Sequence, residues 1–215
     1  MESPFREPIP DGTRLIETFR FEPESGFHDL PRHLQRLERS ADSFGYPFDR
    51  EGIVGELAEY TADQAMRCRL TLGADGGRDF TSAPLGVTAA RWTVAIAETR
   101  LRSDDVWLVH KTTQRAVYDR ARAALPEGVD EWLFLNERDE LCEGTITNVF
   151  VTLQNGERVT PPLGSGCLPG VLRQRLLEHG DVREQVVTLQ DLKTAQAFTM
   201  GNSLRGEIPA VLIAP

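Results

Sequence analysis

Lysine is scarce in this chain: of 24 basic residues only Lys111 and Lys193 are lysine, and the other 22 are arginine. Arginine cannot do the covalent chemistry of an amine. Lys111 follows the apolar run at residues 106–109 and His110, and precedes Thr112-Thr113-Gln114-Arg115. A lysine where a strand leaves the core is placed for partial burial, which lowers its pKa and leaves the neutral amine that a Schiff base needs. The same residues fit a compositional preference for arginine with two survivors, and a strand-end lysine that points into solvent.

A second candidate lies in Glu143-Gly144-Thr145-Ile146-Thr147-Asn148, set in an otherwise apolar stretch. Strand alternation would put Glu143, Thr145 and Thr147 on one face. A buried glutamate is costly unless something cationic or protonated faces it; an edge strand with a wet face fits equally well.

A third is the loop Gly164-Ser165-Gly166-Cys167-Leu168-Pro169-Gly170 running into the helix that Val171, Leu172 and Arg173 begin. Gly170 lets the backbone approach a ligand, and the first amides of a helix are donors suited to an anion such as phosphate. An ordinary loop-to-helix junction has the same appearance. The glycine spacing matches neither a Walker loop nor a dinucleotide fingerprint. Arg36, next to an apolar helical stripe, could reach round its edge to a phosphate. Arg205 stands in the Gly-Asn-Ser-Leu-Arg-Gly run at 201–206. His28, His33, His110 and His179 have no ligand spacing, so structural or surface roles are expected and no metal site is predicted.

These residues need elements to hold them. Residues 14–21 read as a strand. Leu30, Leu34, Leu37, Ala41 and Phe44 recur at helical steps between Pro31 and Gly45, an amphipathic helix with signals at both ends. A helix at 50–60 and an alternating strand at 66–72 follow, and then a loop at 74–84, rich in Gly and Asp. Further on, strands are expected at 92–97, 106–109, 132–135, 141–152 and 157–160, with turns at 137–140 and at Asn155-Gly156. Helices are expected at 114–125 and 170–179, a short strand at 182–187, a helix opened by Thr188, and closing strands around Phe198 and Ile208. The order suits an α+β chain of two lobes, 1–100 and 101–215, the larger one carrying Lys111.

Composition narrows the function. At 215 residues the chain can bury a real core, and with 40% hydrophobic and 27% charged residues it is not a disordered composition. The net charge of −9 argues against an electrostatic grip on nucleic acid, and no apolar run is long enough to span a bilayer. Three cysteines, Cys68, Cys142 and Cys167, widely spaced, suggest neither a disulfide framework nor zinc. Residues 1–12, with three prolines and mixed charge, read as a loose arm in place of a secretion signal, so a cytoplasmic protein is expected.

Taken in order, the Arg-Leu pair at 36–37, Lys111, Glu143 to Asn148, Leu168-Pro169-Gly170 and Asn202 to Gly206 resemble the class IV (fold-type IV) pyridoxal-phosphate enzymes. That family holds branched-chain and D-amino-acid aminotransferases and aminodeoxychorismate lyase. The likeness runs from about Leu15 to Ile213, and Leu15-Ile16-Glu17-Thr18 with Lys111-Thr112-Thr113 is most similar to the lyase branch. It implies the two-lobed D-amino-acid-aminotransferase-like fold with pyridoxal 5'-phosphate bound to Lys111, which would also shuttle the substrate proton. Glu143 would face the pyridine nitrogen. Arg36, the amides of Val171 and Leu172 and the Ser203 hydroxyl would bind the phosphate, and Asn148 would steady its strand. Arg205, then Arg115 or Arg20, would hold substrate carboxylates. The implied reaction turns 4-amino-4-deoxychorismate into 4-aminobenzoate and pyruvate, a step of folate biosynthesis; the alternative is a branched-chain or D-amino-acid aminotransferase. A homodimer is implied as well. Gly12-Thr13-Arg14 stands where the family shows a Gly-Asp-Gly turn, and the strand pair that normally precedes the first strand is not found, so the smaller lobe is expected to be shortened. Tyr118 lies at a different offset from the lysine than the tyrosine that serves the family's cofactor.

Overall fold

The computed structural model describes Phe5 and residues 8–213, so half of the arm expected at 1–12 falls outside the described residues. The chain separates into two units. One comprises the chain up to Val87 together with His110–Gln114; the other comprises Thr88–Val109 and the chain from Arg115 onward. This differs from a single division after residue 100, because the segment with Lys111 returns to the first unit.

In the first unit the strands are β1 (Leu15–Glu22), β2 (Gly26–Phe27), β3 (Met66–Leu72) and β4 (Arg78–Pro84), in the antiparallel order β2-β1-β3-β4. Helix α1 (Leu30–Phe44) packs on β1, and α2 (Arg50–Ala58) follows it. Pro31 starts α1 and Gly45, at φ 68°, ends it in the left-handed conformation. Leu34, Leu37 and Ala41 on its stripe are buried, as are Leu15, Phe19, Cys68 and Leu70 on the strands, burial worth about 1.5–3 kcal/mol for each large side chain. Residues 78–84, expected as loop, are strand. The glycines that suggested a loop belong to the tight turn 73–77, closed by the Gly73 amide on the Gly77 carbonyl at 2.9 Å, and the chain then pairs with β3 along its length.

The second unit holds β5 (Trp92–Leu101), α3 (Ala116–Ala123), β6 (Glu131–Asn136), β7 (Leu141–Gly144), β8 (Asn148–Thr152), β9 (Arg158–Thr160), α4 (Val171–Glu178), β10 (Arg183–Glu184), α5 (Leu189–Thr194), β11 (Ala197–Asn202) and β12 (Gly206–Leu212). Its sheet runs β10-β9-β8-β11-β12-β5-β6-β7, and β7 pairs back to β8, so the strands from β8 round to β7 close on themselves. Val94, Leu133, Leu135, Val149, Val151, Met200 and Ile208 form its main core.

Two expectations change here. Val106–Val109 is a 3-10 turn, not a strand, because the Asp105 carboxylate accepts from the Trp107 amide at 2.9 Å and the Asp105 carbonyl from Leu108 at 3.1 Å. Residues 141–152 are two strands joined by a turn, so Glu143, Thr145 and Thr147 do not line one strand face. At 182–187 only Arg183–Glu184 is strand. The three cysteines are buried and free.

Candidate active site

In the first unit, β1 positions two of the expected residues. The Ile16 amide donates to the Lys111 carbonyl at 2.8 Å, and the Thr113 amide donates to the Arg14 carbonyl at 2.9 Å, so residues 111–113 lie along β1 as a short bridge. Lys111 is half-buried there. At the next position of β1, Glu17 is 1% exposed and accepts from Arg36 Nε at 2.8 Å, from Arg36 Nη2 at 2.6 Å and from His33 Nδ1 at 2.6 Å. Burial pushes the Glu17 carboxyl up, but the charges of Arg36 and His33 and their hydrogen bonds outweigh it and hold the group at about 2. Arg36 is therefore no rim residue reaching round a stripe: it is 5% exposed on the inner face of α1, with its fork fixed by Glu17. Glu17 and His33 were not among the expected site residues. Their signal was present, since alternation puts Glu17 on the face of Leu15 and Phe19, both fully buried.

In the second unit, Glu143 is 6% exposed. Its Oε1 faces the Tyr118 hydroxyl at 2.6 Å, and its Oε2 accepts from the Leu168 amide at 3.0 Å and from Asn148 Nδ2 at 3.4 Å. Asn148 Nδ2 also donates to the Leu168 carbonyl at 3.0 Å, tying Glu143 to the loop that opens α4. Gly170 is required at that junction, because a Cβ there would overlap the Asn148 side-chain oxygen. Gly170, the residue before α4, has no side chain with which to cap it, and the first amides of a helix are donors of the kind an anion site needs.

The turn between β7 and β8 is shaped from a distance in sequence. Glu131, fully buried, accepts from the Thr145 amide at 3.1 Å, the Thr145 hydroxyl at 2.6 Å, the Ile146 amide at 3.3 Å and the Thr147 hydroxyl at 3.4 Å. Burial nonetheless pushes its carboxyl up. Asn202 completes the clamp. Its Nδ2 donates to the Ile146 carbonyl at 3.1 Å, and its Oδ1 accepts from the Leu204 and Arg205 amides at 3.1 and 3.0 Å. The turn with Ser203 and Arg205 is thereby fixed beside the 145–147 turn. At Gly201 a Cβ would stand 2.8 Å from Leu172 Cδ2, so the start of α4 packs directly on this strand. The expected residues Glu143, Val171, Leu172, Ser203 and Arg205 thus belong to one linked assembly.

Two expected substrate arginines are already engaged. Arg115 pairs with Asp119 at 2.8 Å and donates to the Thr145 carbonyl at 2.9 Å. Arg20 pairs with Glu22, which also meets His28 at 3.1 Å.

Residues 14–213 match the family model for amino-transferase class IV, and the chain belongs to that family. Over 212 residues it is 30% identical to a Schizosaccharomyces pombe protein named "Putative aminodeoxychorismate lyase", a match spanning 94% of this chain and 90% of that one. It is 28% identical over 191 residues to the "Probable branched-chain-amino-acid aminotransferase" of Thermotoga maritima, across 83% and 69% of the two chains. Among solved structures, a "Putative amino-acid aminotransferase" from Mesorhizobium loti superposes with a TM-score of 0.89 at 43% identity, covering 94% of this chain and all of that one. The protein is an enzyme of the α+β, fold-type IV class. Among the described residues no helix is long and apolar enough to cross a membrane.

Proposed function

We propose that this enzyme is a pyridoxal-phosphate-dependent lyase that converts 4-amino-4-deoxychorismate to 4-aminobenzoate and pyruvate. The observation that carries the reading is the likeness to the Schizosaccharomyces pombe protein named as such a lyase, along nearly the full length of both chains. The residues present fit the cofactor. A buried carboxylate at Glu143 stands among hydrogen-bond donors, and the start of α4, entered through Gly170, packs on the strand that leads into the Ser203 turn. Arg36 is a buried cation held in one orientation.

When bound, pyridoxal phosphate supplies an aldehyde that condenses with amines and a cationic ring that withdraws electrons from the substrate carbon bearing nitrogen. Lys111 Nζ would anchor it and would serve as the base for the proton on that carbon. Glu143, as an anion, would keep a proton on the ring nitrogen. Arg36, the amides of Val171 and Leu172 and the Ser203 hydroxyl would be the groups to hold the phosphate. Cleavage of the substrate's carbon–oxygen bond releases the enolpyruvyl group, which takes up a proton and leaves as pyruvate while the ring becomes aromatic, so the substrate's atoms are fully accounted for by the two products. Arg205, in the turn beside Ser203, is first in rank for a substrate carboxylate. The reading includes a cytoplasmic homodimer.

The Mesorhizobium loti likeness favours a second reading, an amino-acid aminotransferase on the same scaffold. Mixing holoenzyme with amino acids and following the cofactor absorption separates the two. The lyase predicts no build-up of aminated cofactor and turnover without a 2-oxo acid; conversion to the aminated form, with turnover only when a 2-oxo acid is added, would overturn it.

A further inference from the structure

We propose that Tyr118 is a positioning residue for Glu143, its hydroxyl holding the carboxylate ionised and aimed, and that it does not serve as partner to the cofactor's phenolic oxygen. The proposal deepens the cofactor reading above and rests on it for its purpose, though not for its geometry.

Tyr118 lies in α3 with its ring packed edge-on against Phe134 at 5.4 Å and under the Arg115 guanidinium at 5.6 Å. Ala97, Leu101, Leu108 and Cys142 belong to the same apolar cluster, so the ring has little freedom and the hydroxyl points at Glu143 Oε1, 2.6 Å away. On the other oxygen, the Leu168 amide and Asn148 Nδ2 are groups that only donate, so Oε2 is an acceptor and cannot carry a proton toward them. Burial, and then the neighbouring carboxylate, push the Tyr118 phenol far up, so its O–H is present at every working pH and it is no base. With donors on both oxygens the ionised carboxylate is favoured against its burial. The carboxylate plane is then fixed between α3 on one side and the 168–170 loop on the other.

Tyr118→Phe removes this donor and keeps the ring in its packing. The Glu143 carboxyl then binds a proton about tenfold more tightly, and pyridoxal phosphate binding weakens by about tenfold, the scale of one hydrogen bond to a charged group. The test is infrared difference titration of the full-length chain labelled with carboxyl-13C glutamate, the Glu143 band being identified by its loss in Glu143→Gln. Pyridoxal phosphate affinity is measured on the same samples by absorbance. Equal titration of Glu143 in wild type and Tyr118→Phe overturns the proposal, as does a Glu143 that is protonated at neutral pH in the wild type. Should Tyr118→Phe fail to fold, incorporation of 3-fluorotyrosine, a stronger donor of nearly the same size, decides: Glu143 must release its proton at lower pH, and no change overturns the proposal. A wild-type chain that binds no pyridoxal phosphate while the titration difference persists sinks the cofactor reading and leaves the Tyr118–Glu143 coupling intact.

Discussion

Glu17 shows how a single buried charge can organise the residues around it. It is paired with Arg36 and His33 in a fully enclosed site, and breaking such a pair strands the remaining charge. Its folded value of about 2 lies below the ordinary 4.5, so the stabilisation, about 3 kcal/mol, is fully present above pH 4.5 and is lost as the pH falls towards 2. Denaturant unfolding of Glu17→Gln at neutral pH should therefore show a loss of that size, and the gap to wild type should close between pH 4.5 and 2. An equal gap at both ends of that window would contradict the assignment. At Lys111 the expectation is chemical: borohydride treatment of the holoenzyme should label Lys111, and Lys111→Ala should retain its fold but lose at least a thousandfold in turnover, in line with removal of a covalent and proton-transfer group. Labelling at Lys193 would sink the site assignment.

At the scale of elements, the site depends on two turns and a helix start. Glu131→Ala leaves the Thr145 and Ile146 amides without their buried acceptor, and a loss of about 3 kcal/mol in chemical unfolding is expected. Gly170→Ala should weaken pyridoxal phosphate binding in a spectroscopic titration, because the Asn148 oxygen must move to admit the methyl and with it the 168–170 loop; unchanged affinity would show that loop to be indifferent to cofactor. The sequence made much of this readable. The stripe on α1, the alternation of β3 and the Asn155-Gly156 hairpin turn follow from local periodicity, and local periodicity survives in the fold. What local pattern could not supply was long-range capture. Thr145-Ile146-Thr147 continues a strand pattern on paper, and Glu131, 14 residues earlier than Thr145, bends it into a turn. Similarly, the apolar run 106–109 loses its strand to a cap from Asp105, and residues 78–84 become strand because β3 offers an edge. Lys111, Glu143 and the Leu-Pro-Gly start of α4 were legible as residue types in order. The contacts of Tyr118 and Asn202 were not, since their importance lies in which atoms they meet.

For the whole molecule, the class IV family sets the fold, and charge frames the chemistry: the anionic substrate proposed above would approach a chain of net charge −9, so local cations would have to receive it. Raising the salt concentration should then alter KM far more than kcat for an anionic substrate, and Arg205→Ala should raise KM by about tenfold with the cofactor spectrum unchanged. Sedimentation at micromolar concentration should give twice the mass of the chain if the homodimer holds. The central claim concerns the reaction itself. Holoenzyme supplied with 4-amino-4-deoxychorismate and no 2-oxo acid should release 4-aminobenzoate and pyruvate in equal amounts, and Lys111→Ala should release neither above the uncatalysed rate. Release of no 4-aminobenzoate by the wild-type holoenzyme, with turnover seen only for an amino acid and a 2-oxo acid together, would contradict it.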